Sequence, residues 1–327
     1  MKIYVTRQIP EAGINMLRNK GYEVEINSED RVLTKEEIIK KAKGCDALLC
    51  LLTDMIDAEV MDALLPRVKI IANYAVGFNN IDVKVAAERK LPISNTPGPE
   101  ITESVAEHTF MLMLAVARRL VESDRFTRDG KYKGWGPLLL LGADVYSKTL
   151  GVIGLGAIGK ALAQRAVNGF RMKVLYNDMK RDEAFEREFG AKYVSKEELL
   201  KNSDFVSLHV PLLPSTKHLI GANELNIMKP TAFLVNTSRG PVVDEKALLI
   251  ALRDKKIAGA ALDVYECEPA IDCDLTDNLE LRAMDNVILT PHTASATVET
   301  RSAMSVVAAQ NIIAVLEGGE APNAVKA

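Results

Sequence analysis

The stretch Gly151-Val152-Ile153-Gly154-Leu155-Gly156-Ala157-Ile158-Gly159 carries an apolar run into a GxGxxG spacing, and a helical pattern, Lys160 to Val167, follows it. Each glycine has its own task in this reading: Gly154 allows a tight turn, Gly156 lets a pyrophosphate approach the backbone, and Gly159 lets helix and strand pack closely. The free N–H groups of the helix amino terminus then favour the phosphates. A second strand, beginning at Lys173, ends at Asp178; 178 minus 159 is 19, close to the roughly 20-residue spacing at which an acid meets the adenosine ribose. An acid there bonds a 2′-hydroxyl and repels a 2′-phosphate, so the pattern predicts NAD(H) in preference to NADP(H). Lys180 and Arg181 next to it weaken that preference without reversing it.

On both sides of this segment β-type runs alternate with helical patterns. Before it, runs at Lys2–Val5, Tyr22–Ile26, Ala47–Leu52 and Lys69–Asn73 alternate with helical patterns at Glu11–Lys20, Lys35–Lys43 and Val83–Arg89. From Thr149 onward, further runs follow at Phe205–Val210, Ala232–Asn236, Gly259–Val264 and Val287–Leu289. Two α/β units with parallel sheets are predicted, each of the Rossmann or flavodoxin type. The turn formers Asn95-Thr96-Pro97-Gly98-Pro99 set a boundary near residue 98. The mostly apolar segment Ile101–Leu120 opens with Ser104 and Glu107, which fit a capping box, and is apolar on every side. Its charges Glu103, Glu107, Arg118 and Arg119 exclude insertion into a membrane. Gly318–Ala327 is expected to be loose.

With 327 residues, 48% of them hydrophobic, the chain has enough length and apolar content for two cores. The net charge of −3, from 41 basic and 44 acidic residues, offers no polyanion-binding surface, which argues against nucleic acid as a partner. Met1-Lys2-Ile3-Tyr4-Val5 is too brief for a signal segment, and Phe110–Val116 falls far short of a membrane span, so a cytoplasmic location is expected. Cys45, Cys50, Cys267 and Cys273 have neither CxxC pairing nor histidines at zinc spacing. They read as buried free thiols, and no metal site is expected.

Only four histidines are present. His108 falls in the long helix and reads as structural, His218 as exposed, and His209 as a core residue closing a strand. His292 directly follows the strand Asn286–Thr290, at the sheet edge where doubly wound folds place ligands. Two other strand ends carry matching chemistry. Arg239 lies just beyond Leu234–Asn236, and Asp263, Glu266 and Glu268 lie at or beyond another strand. A guanidinium can clamp a carboxylate in two-pronged fashion, and a histidine beside a carboxylate is a good proton donor near neutral pH.

These strand-end motifs, together with Thr6-Arg7-Gln8-Ile9-Pro10, Leu51-Leu52-Thr53-Asp54, Asn73-Tyr74-Ala75-Val76-Gly77-Phe78-Asn79-Asn80-Ile81-Asp82, Asn95-Thr96-Pro97-Gly98 and Ala117-Arg118-Arg119, extend over essentially the whole chain. In them the chain resembles the D-isomer-specific 2-hydroxyacid dehydrogenases, and within that family the glyoxylate and hydroxypyruvate reductases. The resemblance implies a discontinuous substrate domain, residues 1–98 and 291–327, around an NAD domain, residues 99–290. It implies reduction of a small 2-keto acid, glyoxylate or hydroxypyruvate, to the D-2-hydroxy acid. D-3-phosphoglycerate dehydrogenase or another D-2-hydroxyacid dehydrogenase is an alternative, as is, outside enzymes, an NAD-sensing corepressor.

Laid onto this sequence, the resemblance makes Arg239 the group that orients the substrate, His292 the acid/base, and Glu268 the residue that holds and polarises His292. It gives cofactor contacts to Gly154, Gly156, Ala157, Ile158, Gly159, Asp178, Val210, Pro211, Thr216, Thr237, Ser238, Arg239, Asp263, His292 and Thr102. Substrate contacts go to Leu52, Val76, Gly77, Arg239 and His292. The segment Gly134–Gly142, with the only tryptophan, is similar to an arm that crosses a two-fold homodimer and brings Trp135 to the neighbouring pocket.

Overall fold

The computed structural model describes residues 1–268 and 279–326, which form two compact units, 1–101 with 296–326 and 102–268 with 279–295. In the first unit the chain runs β1 (Lys2–Val5), α1 (Glu11–Asn19), β2 (Glu23–Ile26), α2 (Lys35–Ala42), β3 (Ala47–Leu51), α3 (Ala58–Leu64), β4 (Ile70–Tyr74), α4 (Val83–Glu88) and β5 (Ile93–Ser94). The sheet is parallel with order β2-β1-β3-β4-β5, the flavodoxin-like winding. β3 (ALLCL) and β4 (IIANY) are buried almost throughout, as strands covered on both faces must be. Thr34 caps α2 in a capping box with Glu37, while Asp57 and Asp82 cap α3 and α4.

The chain continues through α5 (Pro99–Ala117) and α6 (Leu120–Arg128) to β6 (Thr149–Ile153), α7 (Ala157–Phe170), β7 (Lys173–Asn177), α8 (Glu183–Phe189) and β8 (Lys192–Tyr193). Then come α9 (Lys196–Asn202), β9 (Phe205–Leu208), α10 (Ala222–Ile227), β10 (Phe233–Asn236), α11 (Glu245–Arg253), β11 (Gly259–Leu262), α12 (Leu279–Ala283) and β12 (Val287–Leu289). This second sheet is also parallel, with order β12-β11-β10-β9-β6-β7-β8. Strand order therefore reverses between β9 and β6, and a crevice for ligands is expected beyond the carboxyl ends of those strands.

α13 (Val298–Leu316) returns the chain to the first unit and packs on α1. The contact is close because residue 13 is glycine: a Cβ there would lie 1.9 Å from the Ser305 carbonyl oxygen, and the Gly13 N–H donates to Ser305 Oγ at 3.0 Å. The tail beyond α13 is held by hydrogen bonds rather than loose. Ala324 pairs with Ser94, the Val325 N–H donates to the Ile93 carbonyl at 2.8 Å, and the Asn323 N–H donates to Asn311 Oδ1 at 2.8 Å. Backbone bonding of this kind has no signature in composition.

Other expectations also change. β5 and β8 are two-residue edge strands without an apolar run, and went unread. Ser104 is not a cap: α5 starts at Pro99, whose missing N–H costs nothing in a first turn, and the Ser104 hydroxyl donates to the Ala294 carbonyl at 3.0 Å. Cys45 and Cys50 are buried free thiols, but Cys267 is disulfide-bonded, and Cys273 lies outside the described residues. No helix among the described residues is long and apolar enough to cross a membrane.

Candidate active site

At the end of β6 the three glycines differ in their surroundings. Gly154 has φ +96°, and a Cβ on it would lie 2.6 Å from the His209 carbonyl oxygen; one on Gly159 would lie 2.2 Å from the Gly154 carbonyl oxygen. Packing alone therefore demands glycine at both. Around Gly156 no heavy atom lies within 4 Å of the Cβ position, and its side of the α7 amino terminus has no side-chain cap. A phosphate chain fits that open cradle, with the N–H groups of Ala157 and Ile158 in the first turn behind it. Asp178 Oδ2 accepts the Leu155 N–H at 2.6 Å, fastening the turn to the end of β7.

Val210 and Pro211 follow β9 on the other side of the strand-order reversal. Thr216 closes their loop on itself, its hydroxyl donating to the Pro211 carbonyl at 2.6 Å and accepting the Leu213 N–H at 2.8 Å. His209, which leads from β9 into this loop, pairs with Ser207 Oγ at 2.8 Å, and burial pushes it down to about 4. It serves the interior as a neutral histidine.

Arg239 sits in a turn shaped by Asn236, whose Oδ1 accepts both the N–H (3.0 Å) and the hydroxyl (2.8 Å) of Ser238 and whose Nδ2 donates to the Arg239 carbonyl (2.9 Å). Thr237 Oγ1 is buried 2.8 Å from Thr109 Oγ1 on α5. Gly240 lies directly against the next loop: a Cβ there would lie 1.7 Å from the Tyr265 carbonyl oxygen. Glu245 and Glu266 then interlock, the Glu266 N–H donating to Glu245 Oε1 at 2.5 Å and the Glu245 N–H to Glu266 Oε2 at 3.3 Å. His218 Nε2 lies 2.5 Å from Glu266 Oε1, so this exposed histidine braces the loop that carries Glu268.

His292 follows β12 with φ +54°, a left-handed conformation that costs an L-residue roughly 1–2 kcal/mol. Asp263 holds it there. The Asp263 carbonyl accepts the His292 N–H at 2.9 Å, and its carboxylate takes the Thr290 hydroxyl (2.6 Å) and the N–H groups of Thr293 and Ala294 (2.8 Å each). His108 Nε2 adds a contact at 3.4 Å. Burial acts to raise the Asp263 carboxyl, but the bonds from His108, Thr290 and the two amides outweigh it and hold the group below its ordinary value.

Across this frame His292 Nδ1 lies 2.7 Å from Glu268 Oε2, which orients the ring and leaves Nε2 as its outward atom. Burial draws the nearby Arg239 guanidinium below its usual value, and the Glu268 charge opposes that. A guanidinium, an imidazole and a carboxylate from three strand ends thus share one electrostatic neighbourhood. Thr102 lies in the first turns of α5. Trp135 is 83% exposed and Leu138 79% exposed, in the irregular segment before β6.

In the first unit Leu52 lies in the turn after β3, and Val76 and Gly77 in the loop after β4. Buried Asn73 donates to the Gly77 carbonyl at 3.0 Å, Asn95 to the Val76 carbonyl at 2.7 Å, and Asn80 to the carbonyls of Leu51 and Asp54 at 3.0 Å each. These asparagines fix both loops. The sequence motifs contain these asparagines without showing that they hold the loops, and the sequence is equally silent on the roles of Asn236 and Glu245; the available signal was an amide or acid at a strand end or helix start beside a loop.

The profile of the D-isomer specific 2-hydroxyacid dehydrogenase NAD binding domain matches residues 110–294. The glyoxylate reductase of Korarchaeum cryptofilum is 50% identical over 325 residues, 99% of this chain and 95% of that protein. That of Thermococcus litoralis is 48% identical over 328 residues, 99% of this chain and 96% of that protein. Among solved structures, the TT0316 protein of Thermus thermophilus superposes with a TM-score of 0.92 at 43% identity, covering all of both chains. The glycine turn, the strand-end triad and these likenesses agree, and the chain belongs to the D-isomer specific 2-hydroxyacid dehydrogenase family.

Proposed function

We propose that this enzyme reduces glyoxylate or hydroxypyruvate to the corresponding hydroxy acid in the cytoplasm, with NADH preferred to NADPH. The observation that carries the reading is the His292–Glu268 pair with Arg239 beside it, at the carboxyl edge of a sheet whose glycine turn has room for a dinucleotide. Relatives about half identical over nearly the full length are glyoxylate reductases, which supports the small keto acid.

In this account Gly154, Gly156, Ala157, Ile158 and Gly159 hold the pyrophosphate, and Asp178 holds the adenosine ribose. Thr102, Val210, Pro211, Thr216, Thr237, Ser238 and Asp263 line the remainder. The nicotinamide supplies a hydride to the keto carbon when bound. Arg239 clamps the substrate carboxylate and polarises the keto oxygen. His292, held by Glu268, delivers a proton from Nε2 to that oxygen, a contribution typically worth about 10² to 10⁴ in rate. The second unit is the cofactor domain; the first is the substrate domain, with Leu52, Val76 and Gly77 as its contacts.

The exposed apolar residues Trp135, Leu138 and Leu141 support a homodimer in which this segment crosses to a second copy and Trp135 lines that copy's pocket. Light scattering should give twice the chain mass, and a monomer would refute it. A substrate panel tests the main reading: glyoxylate, hydroxypyruvate, pyruvate and 3-phosphohydroxypyruvate with each cofactor. Glyoxylate or hydroxypyruvate with NADH should give the highest kcat/KM; a clear preference for the phosphorylated acid or for NADPH would overturn it.

A further inference from the structure

The loop after β7 carries Lys180 and Arg181 beside the acid assigned to the ribose, α7 adds Lys160, and the structure ties Arg181 and Lys160 each to a carboxylate. Arg181 forms a two-pronged pair with Glu186 of α8: Nε to Oε1 and Nη2 to Oε2, both at 2.8 Å. Glu186 is itself anchored. Its Oε1 accepts the Tyr176 hydroxyl at 2.8 Å, and its side chain is only 14% exposed. Tyr176 is fully buried in β7, and its oxygen in turn accepts the Asp182 N–H at 2.8 Å. Asp182 caps α8 and lies 2.5 Å from Lys160 Nζ, on the first turns of α7 just past the glycine turn. Arg181 holds Glu186 low, to about 2, and Lys160 holds Asp182 low, so both acids stay ionised at any pH where the enzyme would work.

A 2′-phosphate next to Asp178 would call on the cations that follow it in the chain, exposed Lys180 and Arg181, and on Lys160, which reaches the same loop through Asp182. A guanidinium whose Nε–Nη2 edge is held by an anchored carboxylate cannot turn that edge to a phosphate without breaking the pair, and its charge is already compensated. We propose that Glu186, with Asp182, is a determinant of cofactor choice in this enzyme: it acts through Arg181, keeping that side chain from the 2′-phosphate of NADPH. Glu186 is thus a positioning residue that touches no cofactor atom. The inference rests on the assignment of Asp178 to the ribose and adds a second level of discrimination to it.

The test compares kcat/KM for NADPH and NADH with one keto acid in wild type, Glu186→Gln, Asp178→Ser, the double variant, and Glu186→Gln with Arg181→Ala. Glutamine keeps an acceptor for Tyr176 while removing the charge. Glu186→Gln should raise the NADPH/NADH ratio about tenfold, the worth of one charge-assisted bond. The double variant should exceed the product of the singles, because the freed guanidinium enters a pocket cleared of its acid. Arg181→Ala should erase the gain. A merely structural role for Glu186 would lower both efficiencies together and leave the ratio fixed, which overturns the proposal. If Asp178→Ser moves the ratio and Glu186→Gln does not, the inference fails alone; if neither does, the ribose assignment falls with it. Should Glu186→Gln fail to fold, Arg181→Ala in the wild-type background decides: a ratio within about twofold of wild type supports a sequestered arginine, and a tenfold loss with NADPH shows that it already binds the phosphate and overturns the proposal.

Discussion

His292 Nδ1 and Glu268 Oε2 lie 2.7 Å apart, although 24 positions separate them in the chain. Their meeting depends on two loops held independently, one by the Asp263 carboxylate and one by the Glu245–Glu266 interlock. Glu268→Gln keeps a hydrogen-bond acceptor but removes the negative charge 2.7 Å from the imidazole. It should lower kcat with glyoxylate by about tenfold or more while leaving NADH affinity, read by fluorescence titration, near wild type. Loss of NADH affinity in step with kcat would instead assign Glu268 to the fold.

Arg239 offers a test of planar recognition. Lysine restores the charge without the two-pronged geometry, so Arg239→Lys should recover only part of what Arg239→Ala loses. The alanine variant should fall by about 10² or more in kcat/KM, mostly through KM for the keto acid. Equal activity of lysine and arginine enzymes would show that charge alone suffices.

Two glycines separate packing from binding. Gly156→Ala adds a methyl to open space, so thermal stability should hold while the Kd for NADH rises. Gly240→Ala adds one 1.7 Å from the Tyr265 carbonyl, and chemical unfolding should show a loss of about 3 kcal/mol or more. The reverse pattern would contradict the assignment of the cradle.

The legible part of the site was what has a spacing or a rarity. The glycine turn and Asp178 follow from interval alone, and His292 stands out among four histidines by its place after a strand. What stayed hidden was made by tertiary contact. Asp263 reads as a strand-end acid, and nothing in the sequence shows that its oxygens receive amides 30 and 31 residues later. Gly240 is an unremarked glycine until Tyr265 is laid across it. Ser104 and Glu107 misled because the spacing of a capping box recurs inside helices. Parallel sheets were readable from apolar runs, but the short edge strands β5 and β8 pair through backbone that no side chain announces.

Acid should weaken the fold partly through His209. The unfolded chain takes up a proton near the ordinary value of 6.5, whereas the buried imidazole stays neutral down to about 4. Between those values the unfolded state binds more protons, so stability falls as pH drops through this window, by up to about 3 kcal/mol from this group. Urea unfolding of wild type and His209→Gln across the window checks it: the variant, which can keep a bond to Ser207, should show the shallower decline. Parallel curves would mean that His209 gains its proton in the folded state as easily as outside it.

The most direct test of the whole account is NADH consumption with glyoxylate by wild type and His292→Gln, alongside NADH binding by the same preparations. The site as described predicts that the variant binds NADH normally and turns over at least about 10²-fold more slowly. Turnover equal to wild type would contradict the account, because the proton would then come from another group and the His292–Glu268 pair would not be the chemical centre.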